Sequence, residues 1–287
     1  MSDDTRFCSG SSMTVQRFRL GKFNWLALPQ LLPVPLLSRL EQPEQLLLPP
    51  ANPLKKVITP GREVVRLCSG ETANTEVVVK HFTPRGLGQH IKWTWRASPA
   101  IRAFCLAREL ATLGLLTPTP VAAGERRTCG FLRESFLVTH FIAGATPLHL
   151  VNAHCADRRR RIGIVRGLAK LYAALHDAGF FHGDPSQSNF LVVPHPGGSD
   201  AIALIDLDGL RRRREMNLSA AVRDLQRLLL RGRIPRRERA WFIVTYSRSR
   251  KLPVDVRQLL ALIGLPPAQA TFPHCALNEE SQPEFTE

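Results

Sequence analysis

Two polar segments in the second half of the chain carry side chains suited to chemistry on a metal-bound substrate. Asp184 and Asn189 lie five residues apart in the stretch 182–189 (HGDPSQSN), and Asp206 directly follows the apolar run 201–205. Carboxylate and amide oxygens are the ligands that a hard divalent cation prefers. We predict that two strands joined by the Pro- and Gly-rich turn 194–199 bring Asn189 beside Asp206. Asp184 would then be free to accept a hydroxyl proton.

This order of residues is typical of a phosphoryl-transfer site of the protein-kinase-like type. That site has a catalytic-loop aspartate, an asparagine for magnesium five residues later, and a second magnesium aspartate after the next strand. Asp and Asn also form turns and cap helices, so either segment alone would indicate only a turn. The two segments in this order, with His182 at the matching offset, favour the catalytic interpretation.

Composition and charge limit the class of protein. The chain has 287 residues, enough for one large domain or two lobes, and a net charge of +15, which predicts attraction to a polyanion or an anionic membrane. Its six cysteines form no CxxC pair, so neither a zinc site nor a disulfide framework is indicated. It contains no apolar run of about 18 residues and no signal-like start. We therefore expect a cytosolic protein whose membrane contact is peripheral.

The first half contains the elements that must position a nucleotide. Residues 1–54 are rich in Pro and Leu, which favours an extension packed on the folded body over a flexible arm that touches a membrane. The runs 55–59, 63–68 and 75–82 predict an antiparallel meander. Lys80 on its third strand would reach the phosphates of a nucleotide, although a lysine on an edge strand also prevents aggregation.

A helix is predicted over 99–113 because Pro99 precedes apolar residues at helical spacing. Glu109 on this helix is the candidate partner of Lys80, and a surface glutamate among arginines is the alternative. The strand-like run 134–142 is placed where two lobes would join, so its end is the predicted hinge for the adenine edge: Thr139, His140, Phe141 and Ile142.

The remaining segments carry weaker signals of structure and function. Residues 83–98 are a basic, aromatic loop, suited to sugar or phosphate contact or to packing. Helices are predicted over 157–176, 218–231 and 236–247, and Asp224 is placed to tie the catalytic loop to the helical part. The arginine clusters 158–161 and 211–214 are either solvated or available to anionic substrate or lipid headgroups. The tail 278–287 has the composition of a disordered segment.

With these residues assembled, the chain resembles the lipopolysaccharide core kinases, the Kdo/WaaP family of protein-kinase-like folds. The general kinase residues carry part of the likeness, and the stretches 108–125 and 134–139, which run from the helix to the hinge, carry the more specific part. The resemblance covers roughly residues 55–250.

The resemblance implies an α+β, two-lobed fold with an antiparallel-sheet lobe over 55–140 and a mainly helical lobe over 141–277. It implies phosphorylation, dependent on ATP and Mg²⁺, of a Kdo or heptose hydroxyl of the lipopolysaccharide inner core. Asp184 and His182 would be catalytic, Asn189 and Asp206 would bind metal, and Lys80, Glu109 and the hinge would bind nucleotide. The implied partners are the lipopolysaccharide core or a lipid A precursor and the anionic cytoplasmic face of the inner membrane; nucleic acid is not expected.

Three departures from protein kinases bear on the substrate. The turn 59–62 is the only candidate phosphate-covering loop, because no GxGxxG precedes Lys80. Ser186 stands where protein kinases place a lysine, which argues against a Ser/Thr protein kinase. Asp206-Leu207-Asp208 replaces Asp-Phe-Gly, and Asp208 has no assigned role. The alternatives are a phosphotransferase acting on a protein or small metabolite, and a basic pseudokinase that binds nucleic acid or membrane.

Overall fold

The computed structural model describes residues 13–32, 34–47, 55–59, 62–68, 76–183, 185–195, 199–213, 216–231, 234–251 and 255–265. The chain divides into two compact units. The first contains Met1–Ala145 and Ala203–Asp208, and the second contains Thr146–Ile202 and Gly209–Glu287. The mixed α+β class predicted from the sequence is confirmed, with an antiparallel sheet in the first unit and mostly helices in the second.

The first unit is built on a seven-stranded sheet. Its spatial order is β1-β2-β6-β7-β5-β4-β3, and each pair of neighbours is antiparallel. The strands are β1 (Gln16–Leu20), β2 (Phe23–Ala27), β3 (Lys55–Thr59), β4 (Arg62–Cys68), β5 (Glu76–Phe82), β6 (Pro120–Thr128) and β7 (Phe131–His140). The predicted meander is therefore present as β3-β4-β5, and β7 lies beside it.

The described part of the Pro- and Leu-rich extension belongs to this sheet. Strand β2 pairs with β6 so that Trp25 lies opposite Gly124, and Trp25 is 1% exposed. A Cβ on Gly124 would lie 2.6 Å from the indole ring, so only glycine accommodates the tryptophan there. Leu36, Leu40 and Leu46 are buried in the same core. The sequence predicted packing on the body but not these two strands.

In the sequence, three helices occur between the strands of the first unit: α1 (Val34–Arg39), α2 (Gly86–Thr94) and α3 (Pro99–Thr112). Helix α3 begins as predicted, because Ser98 caps the amide of Ile101 and Pro99 takes the first position. Helix α2 corrects the predicted loop over 83–98. Gly86 and Gly88, both poor helix formers, hid its helical pattern.

The second unit is mainly helical, with α4 (Leu148–His154), α5 (Arg158–Asp177), α6 (Leu218–Gln226), α7 (Arg236–Ser249) and α8 (Val256–Ile263). Its short strands are β8 (Thr146–Pro147), β9 (Phe180–His182), β10 (Phe190–Val193) and β12 (Leu210–Arg212). Strand β11 (Ala201–Leu204) begins in this unit, and its last two residues are counted with the first. Helix α5 packs on α7, where Tyr172 meets Phe242 with ring centroids 6.1 Å apart.

Two details differ from the predicted helices. The helix predicted over 218–231 is α6 followed by a π-helical turn, Arg227–Arg231. Helix α8 was not predicted; Asp255 caps it and Gly264 ends it with φ of +80°.

No helix in the described ranges is long and apolar enough to cross a membrane. The proposed tail 278–287 lies outside the described residues.

Candidate functional site: a cation and carboxylate cluster and a buried aspartate anchor

The segment Ala203–Asp208 is fixed to the first unit by two hydrogen bonds. Leu204 donates its amide to the carbonyl of Leu116 at 2.9 Å, and Thr117 Oγ1 donates to the carbonyl of Leu204 at 2.8 Å. Through these bonds, residues 203–208 belong to the same unit as the sheet, although they are distant from it in the sequence. Asp206 is therefore presented to the strands that hold Lys80.

Lys80 lies at the middle of this arrangement. Its Nζ donates to the carbonyl oxygen of Ile205 at 2.7 Å, immediately before Asp206. Burial and the positive charge of Arg62 lower the pKa of Lys80, and the carboxylates of Asp206 and Asp208 oppose that shift. The lysine predicted to bind a nucleotide and the aspartate predicted to bind metal are thus brought together in one unit.

Arg62 completes the cluster. Its Nη1 and Nη2 each lie 3.0 Å from one carboxylate oxygen of Asp206, and Nη2 also lies 3.4 Å from Asp208 Oδ2. This two-pronged geometry suits the planar guanidinium. Arg62 pairs with Phe82 across β4 and β5, so it shares a sheet face with Lys80, two residues before Phe82.

The two aspartates of this cluster are held in opposite electrostatic states. Burial alone would raise the pKa of Asp206, but hydrogen bonds from Arg62 and the charges of Lys80 and Arg62 outweigh it and lower the pKa to about 2. Burial and the negative charge of Asp206 raise the pKa of Asp208. Asp206 is therefore the carboxylate that stays ionised and available to a cation.

Sequence reasoning did not assign a role to Arg62. The residue ends the turn 59–62, the only candidate phosphate-covering loop, and that position was the signal that could have pointed to it. Its partner Asp206 lies 144 residues away, so no local pattern indicates the pair. Pro60 and Gly61 of the turn lie outside the described residues.

Glu109 is half-buried on α3. The charged groups that shift the Lys80 pKa are Arg62, Asp206 and Asp208, and Glu109 is not among them. The pairing of Glu109 with Lys80 stays a prediction.

The predicted hinge lies at the end of β7. Thr139 is buried, the amide of His140 donates to the carbonyl of Thr119, and the amide of Phe141 donates to the carbonyl of Glu76, both at 2.9 Å. Ile142 lies three residues before Ala145, where this part of the first unit ends. Nε2 of His140 is buried and has no hydrogen-bond partner in the described part of the chain.

A second cluster lies in the second unit around Asp224, which is 2% exposed. Its Oδ2 accepts from the backbone amide of His182 at 2.6 Å and lies 3.2 Å from Nε2 of His176. Because a carboxylate only accepts, Nε2 of His176 carries the proton, and Nδ1 of a neutral ring then accepts from Tyr246 Oη at 2.7 Å. The predicted tie from Asp224 to the catalytic loop is present.

The chain of hydrogen bonds continues outward from Tyr246. Arg250 donates to Tyr246 Oη and to Asp177 Oδ1, both at 2.6 Å. Burial is the main cause that raises the pKa of Tyr246, to about 12, so the hydroxyl remains a donor to His176. The backbone of His182 is therefore connected through four side chains to helices α5 and α7.

The loop itself is fixed by its backbone. Strand β9 pairs with β12, with His182 opposite Leu210, and the amide of Gly183 donates to the carbonyl of Gly209 at 2.9 Å. A Cβ on Gly183 would lie 2.8 Å from that carbonyl oxygen, which explains the glycine. Asp184 lies outside the described residues.

His182 and Asn189 are both buried in the second unit. The ring of His182 lies 5.7 Å from that of Phe190, centroid to centroid, which favours a positioning role over contact with substrate. Asn189 ends a 3₁₀ turn, Gln187–Asn189, in which its amide donates to the carbonyl of Ser186 at 2.9 Å. The metal role of Asn189 stays a prediction.

The first arginine cluster is partly structural. Arg161 binds Glu238 at 2.9 Å and donates to the carbonyls of Cys155 and Ala156, and Arg160 binds Asp200 at 2.7 Å. Of the second cluster, the side chains of Arg211, Arg212 and Arg213 are exposed, and Arg214 lies outside the described residues.

The donor set of the first unit fits a nucleotide with its divalent cation. Two cations suited to phosphate, Lys80 and Arg62, lie beside two carboxylates suited to Mg²⁺. Among the described residues no group of three or more His, Cys, Asp or Glu side chains gathers as a metal site by itself. In proteins, Mg²⁺ is commonly bound by one or two carboxylates together with substrate phosphates.

The fold is that of a protein-kinase-like phosphotransferase. A solved structure titled "WaaP in complex with acyl carrier protein" is similar to this chain, with a TM-score of 0.52 and 23% identity, over 75% of this chain and 85% of that one. This similarity shows the fold. No curated protein sequence matches the chain.

The model of the lipopolysaccharide kinase (Kdo/WaaP) family matches residues 67–246, more than half of the chain. The chain belongs to the lipopolysaccharide kinase (Kdo/WaaP) family. Its members are phosphotransferases that act on sugar hydroxyls. The resemblance recognised from the sequence, and the class of enzyme that it implied, are confirmed.

Proposed function

We propose that this protein uses ATP and Mg²⁺ to phosphorylate a hydroxyl of Kdo or heptose in the inner core of lipopolysaccharide. The observation that carries the proposal is the contact of Lys80 with the carbonyl of Ile205, which places a cation for phosphate beside the ionised Asp206. Membership of the family supports lipopolysaccharide as the acceptor.

Lys80 and Arg62 are the residues that would bind the phosphates. Lys80 presents an ammonium group that already donates one hydrogen bond, to Ile205, and has two further donors. Arg62 would exchange the Asp206 carboxylate for phosphate oxygens, because its planar guanidinium fits both. At the hinge, the unpartnered Nε2 of His140 is a candidate group for the base, with Thr139, Phe141 and Ile142 beside it in sequence.

Asp206 and Asn189 are the proposed metal ligands. Asp206 supports this role through its low pKa, which keeps the carboxylate ionised throughout the physiological range. When bound, Mg²⁺ would neutralise charge on the phosphates and orient the transferred group. Burial and the charge of Asp206 raise the pKa of Asp208, and a cation bound beside it would favour its ionised form, so Asp208 is a candidate additional ligand.

Asp184 is the proposed base that orients and deprotonates the acceptor hydroxyl. Its neighbours His182 and Gly183 are held by Asp224 and by Gly209 through their backbone amides. We propose that this backbone support, rather than the imidazole of His182, provides the loop with its precision. Rigid support of a catalytic group is worth much in rate, because small misplacements of the reacting atoms are costly.

The net charge supports the proposed acceptor and location. A net charge of +15 favours the anionic lipopolysaccharide core or a lipid A precursor, reached at the cytoplasmic face of the inner membrane by a peripheral protein. The similar WaaP structure contains an acyl carrier protein. An acyl carrier protein is accordingly a second candidate partner of this chain.

Mass spectrometry of core lipopolysaccharide from cells with and without the protein tests this function. We expect one phosphate fewer on one inner-core sugar in its absence, and restoration by the wild type but not by Asp184→Ala. The purified variant should still bind ATP, measured by its thermal shift. Identical core masses, together with transfer to a generic protein or a small metabolite in vitro, would overturn the assignment of the acceptor.

A further inference from the structure

An exposed surface of the first unit combines apolar and basic side chains. It consists of Ile91, Lys92, Trp95 and Arg96 at the end of α2 and of Phe131 and Arg133 at the start of β7, and we call it the Trp95 surface. Trp95 is 87% exposed, Ile91 62% and Phe131 42%. These are three of the ten large apolar side chains that are exposed in the described part of the chain.

Arg127 joins the two segments of this surface. Its guanidinium donates to the carbonyls of Trp93, Thr94 and Arg96 on one side, at 2.8–3.3 Å, and to that of Gly130 on the other, at 3.2 Å. Glu125 fixes the same guanidinium at 2.7 Å. One half-buried arginine thus holds the end of α2 against the β6–β7 turn.

The turn that carries Phe131 is also well defined. Cys129 and Gly130 both have positive φ, +50° and +80°, the backbone of a tight two-residue hairpin loop. Phe131 and Arg133 alternate with the buried Leu132, so both face outward from β7. Ile91 and Trp95 are four residues apart and lie on the same side of the helix end. The exposed side chains are therefore presented by a fixed backbone.

The charge of the surface is one-sided. Lys92, Arg96 and Arg133 are exposed, and neither 83–98 nor 126–133 contains an acidic residue. The nearest acids are engaged elsewhere: Glu125 with Arg127, and Glu134 with Arg126 and His81. Exposed Trp and Phe with Lys and Arg around them match the interface of an anionic bilayer, where aromatic rings settle among the headgroups.

We propose that the Trp95 surface is the membrane-docking face of the protein, with anionic phospholipid as its partner. The inference rests on the proposed function, which requires an acceptor at a membrane, but it can be tested without the acceptor. The apolar side chains enter the interface, and the three basic side chains contact the phosphates of neighbouring lipids.

The experiment measures binding of the full chain to vesicles of phosphatidylcholine with and without phosphatidylglycerol, free of lipopolysaccharide and nucleotide. We expect Ile91→Gln with Trp95→Gln to weaken binding to the anionic vesicles about tenfold, from lost apolar burial. Replacing Lys92, Arg96 and Arg133 by Gln should weaken it by about fivefold per charge. Salt should weaken wild-type binding in the same way.

Matched controls distinguish binding through the Trp95 surface from non-specific hydrophobic binding and from an effect of net charge. Leu150→Gln with Leu262→Gln changes two exposed apolar side chains of the other unit, and Arg223→Gln with Arg257→Gln removes two exposed charges there. Both controls should bind vesicles like the wild type. All surface variants should keep the wild-type melting temperature and its shift on adding ATP and Mg²⁺.

Tryptophan quenching by brominated lipid reports on Trp95 itself. Trp25 is buried, and Trp93 and Trp241 are half-buried, so quenching should fall sharply in Trp95→Leu while vesicle binding largely persists. Equal vesicle binding by the surface variants and the controls would overturn the proposal, even if phosphorylation of lipopolysaccharide were established. Loss of binding to an acidic protein with intact vesicle binding would also overturn it, and would assign the surface to a protein partner.

Discussion

Both units place an aspartate among hydrogen-bond donors, but the two aspartates have different surroundings. Asp206 faces charged groups, the guanidinium of Arg62 and the ammonium of Lys80, and its side chain is 22% exposed. Asp224 faces a backbone amide and an imidazole, and both it and His176 are almost completely buried, at 1% and 0% side-chain exposure. The first aspartate has partners that can exchange, and the second has partners fixed by the fold.

The difference indicates what each cluster does. Arg62 is only half-buried and can leave Asp206 for phosphate oxygens, and a metal ion can take its place, so this cluster is suited to binding. The donors around Asp224 belong to the backbone and to a helix, and they cannot leave without unfolding the loop. We infer that Asp206 serves chemistry and Asp224 serves position, and four substitutions test this contrast.

The largest effect is expected for Asp206→Asn, which should lower phosphotransfer by about a thousandfold or more, because it removes a preorganised charge from the reaction centre. Circular dichroism should show an intact fold. Asp208→Asn is the matched control two residues away and should lose far less rate. Equal losses would mean that the two carboxylates share the role.

Asp224→Ala should lower the free energy of unfolding by about 3–5 kcal/mol, because it leaves the His182 amide and the His176 ring without their buried acceptor. Urea denaturation measures this change. Asp200→Ala removes a surface ion pair with the exposed Arg160 and should cost less than about 1 kcal/mol. Similar losses for the two variants would remove the basis for a structural role of Asp224.

The pH dependence of stability should differ between the neighbours Asp206 and Asp208. The pKa of Asp206 is lowered to about 2, so its stabilisation is complete above the pKa of an unfolded aspartate and disappears as the pH falls through about 2. This contribution is worth about 2–3 kcal/mol near neutral pH. Asp206→Asn should remove it, measured by urea denaturation between pH 2 and 7.

Asp208 has the opposite sign. Its raised pKa means that ionisation costs stability in the folded chain, so stability is lost as the pH rises through the folded value. Asp208→Asn should therefore leave stability at pH 7 equal or higher. A clear loss in that variant would show that its contact with Arg62 outweighs burial and repulsion.

A change in affinity of only about tenfold is expected for Arg62→Gln, and its direction differs between metal and nucleotide. Without its competitor, the Asp206 carboxylate should bind Mn²⁺ in the absence of nucleotide about tenfold more tightly, a change of about 1.4 kcal/mol. Affinity for ATP should fall by a similar factor, because a phosphate donor is lost. Isothermal titration measures both, with Arg102→Gln as a control on α3. Parallel changes in the two affinities would contradict an exchange of partners.

Local pattern was sufficient for much of the fold. Alternating apolar residues gave the strands around Lys80, and Ser98 with Pro99 marked the start of α3. Local pattern did not predict elements whose helix or strand signal is weak, or whose position depends on a residue far away in the sequence. Helix α2 begins at glycines, and β1 and β2 lie in a proline-rich stretch whose place in the sheet depends on Gly124 receiving the ring of Trp25.

By itself, the sequence determined which residues are available for chemistry, because Asp184, Asn189 and Asp206 occur at the offsets that a loop and the next strand require. It also determined the family, because those offsets and the stretch from α3 to β7 are local properties of the chain. The tertiary structure alone decided that Asp206 belongs with the sheet, that Arg62 binds it, and that the tie predicted for Asp224 is made to the backbone amide of His182. The hydrogen bonds that make these contacts join residues separated by 42 to 144 positions in the sequence. Side chains so far apart meet only after the core has formed, and no pattern of neighbouring residues encodes which of the many possible partners each one finds.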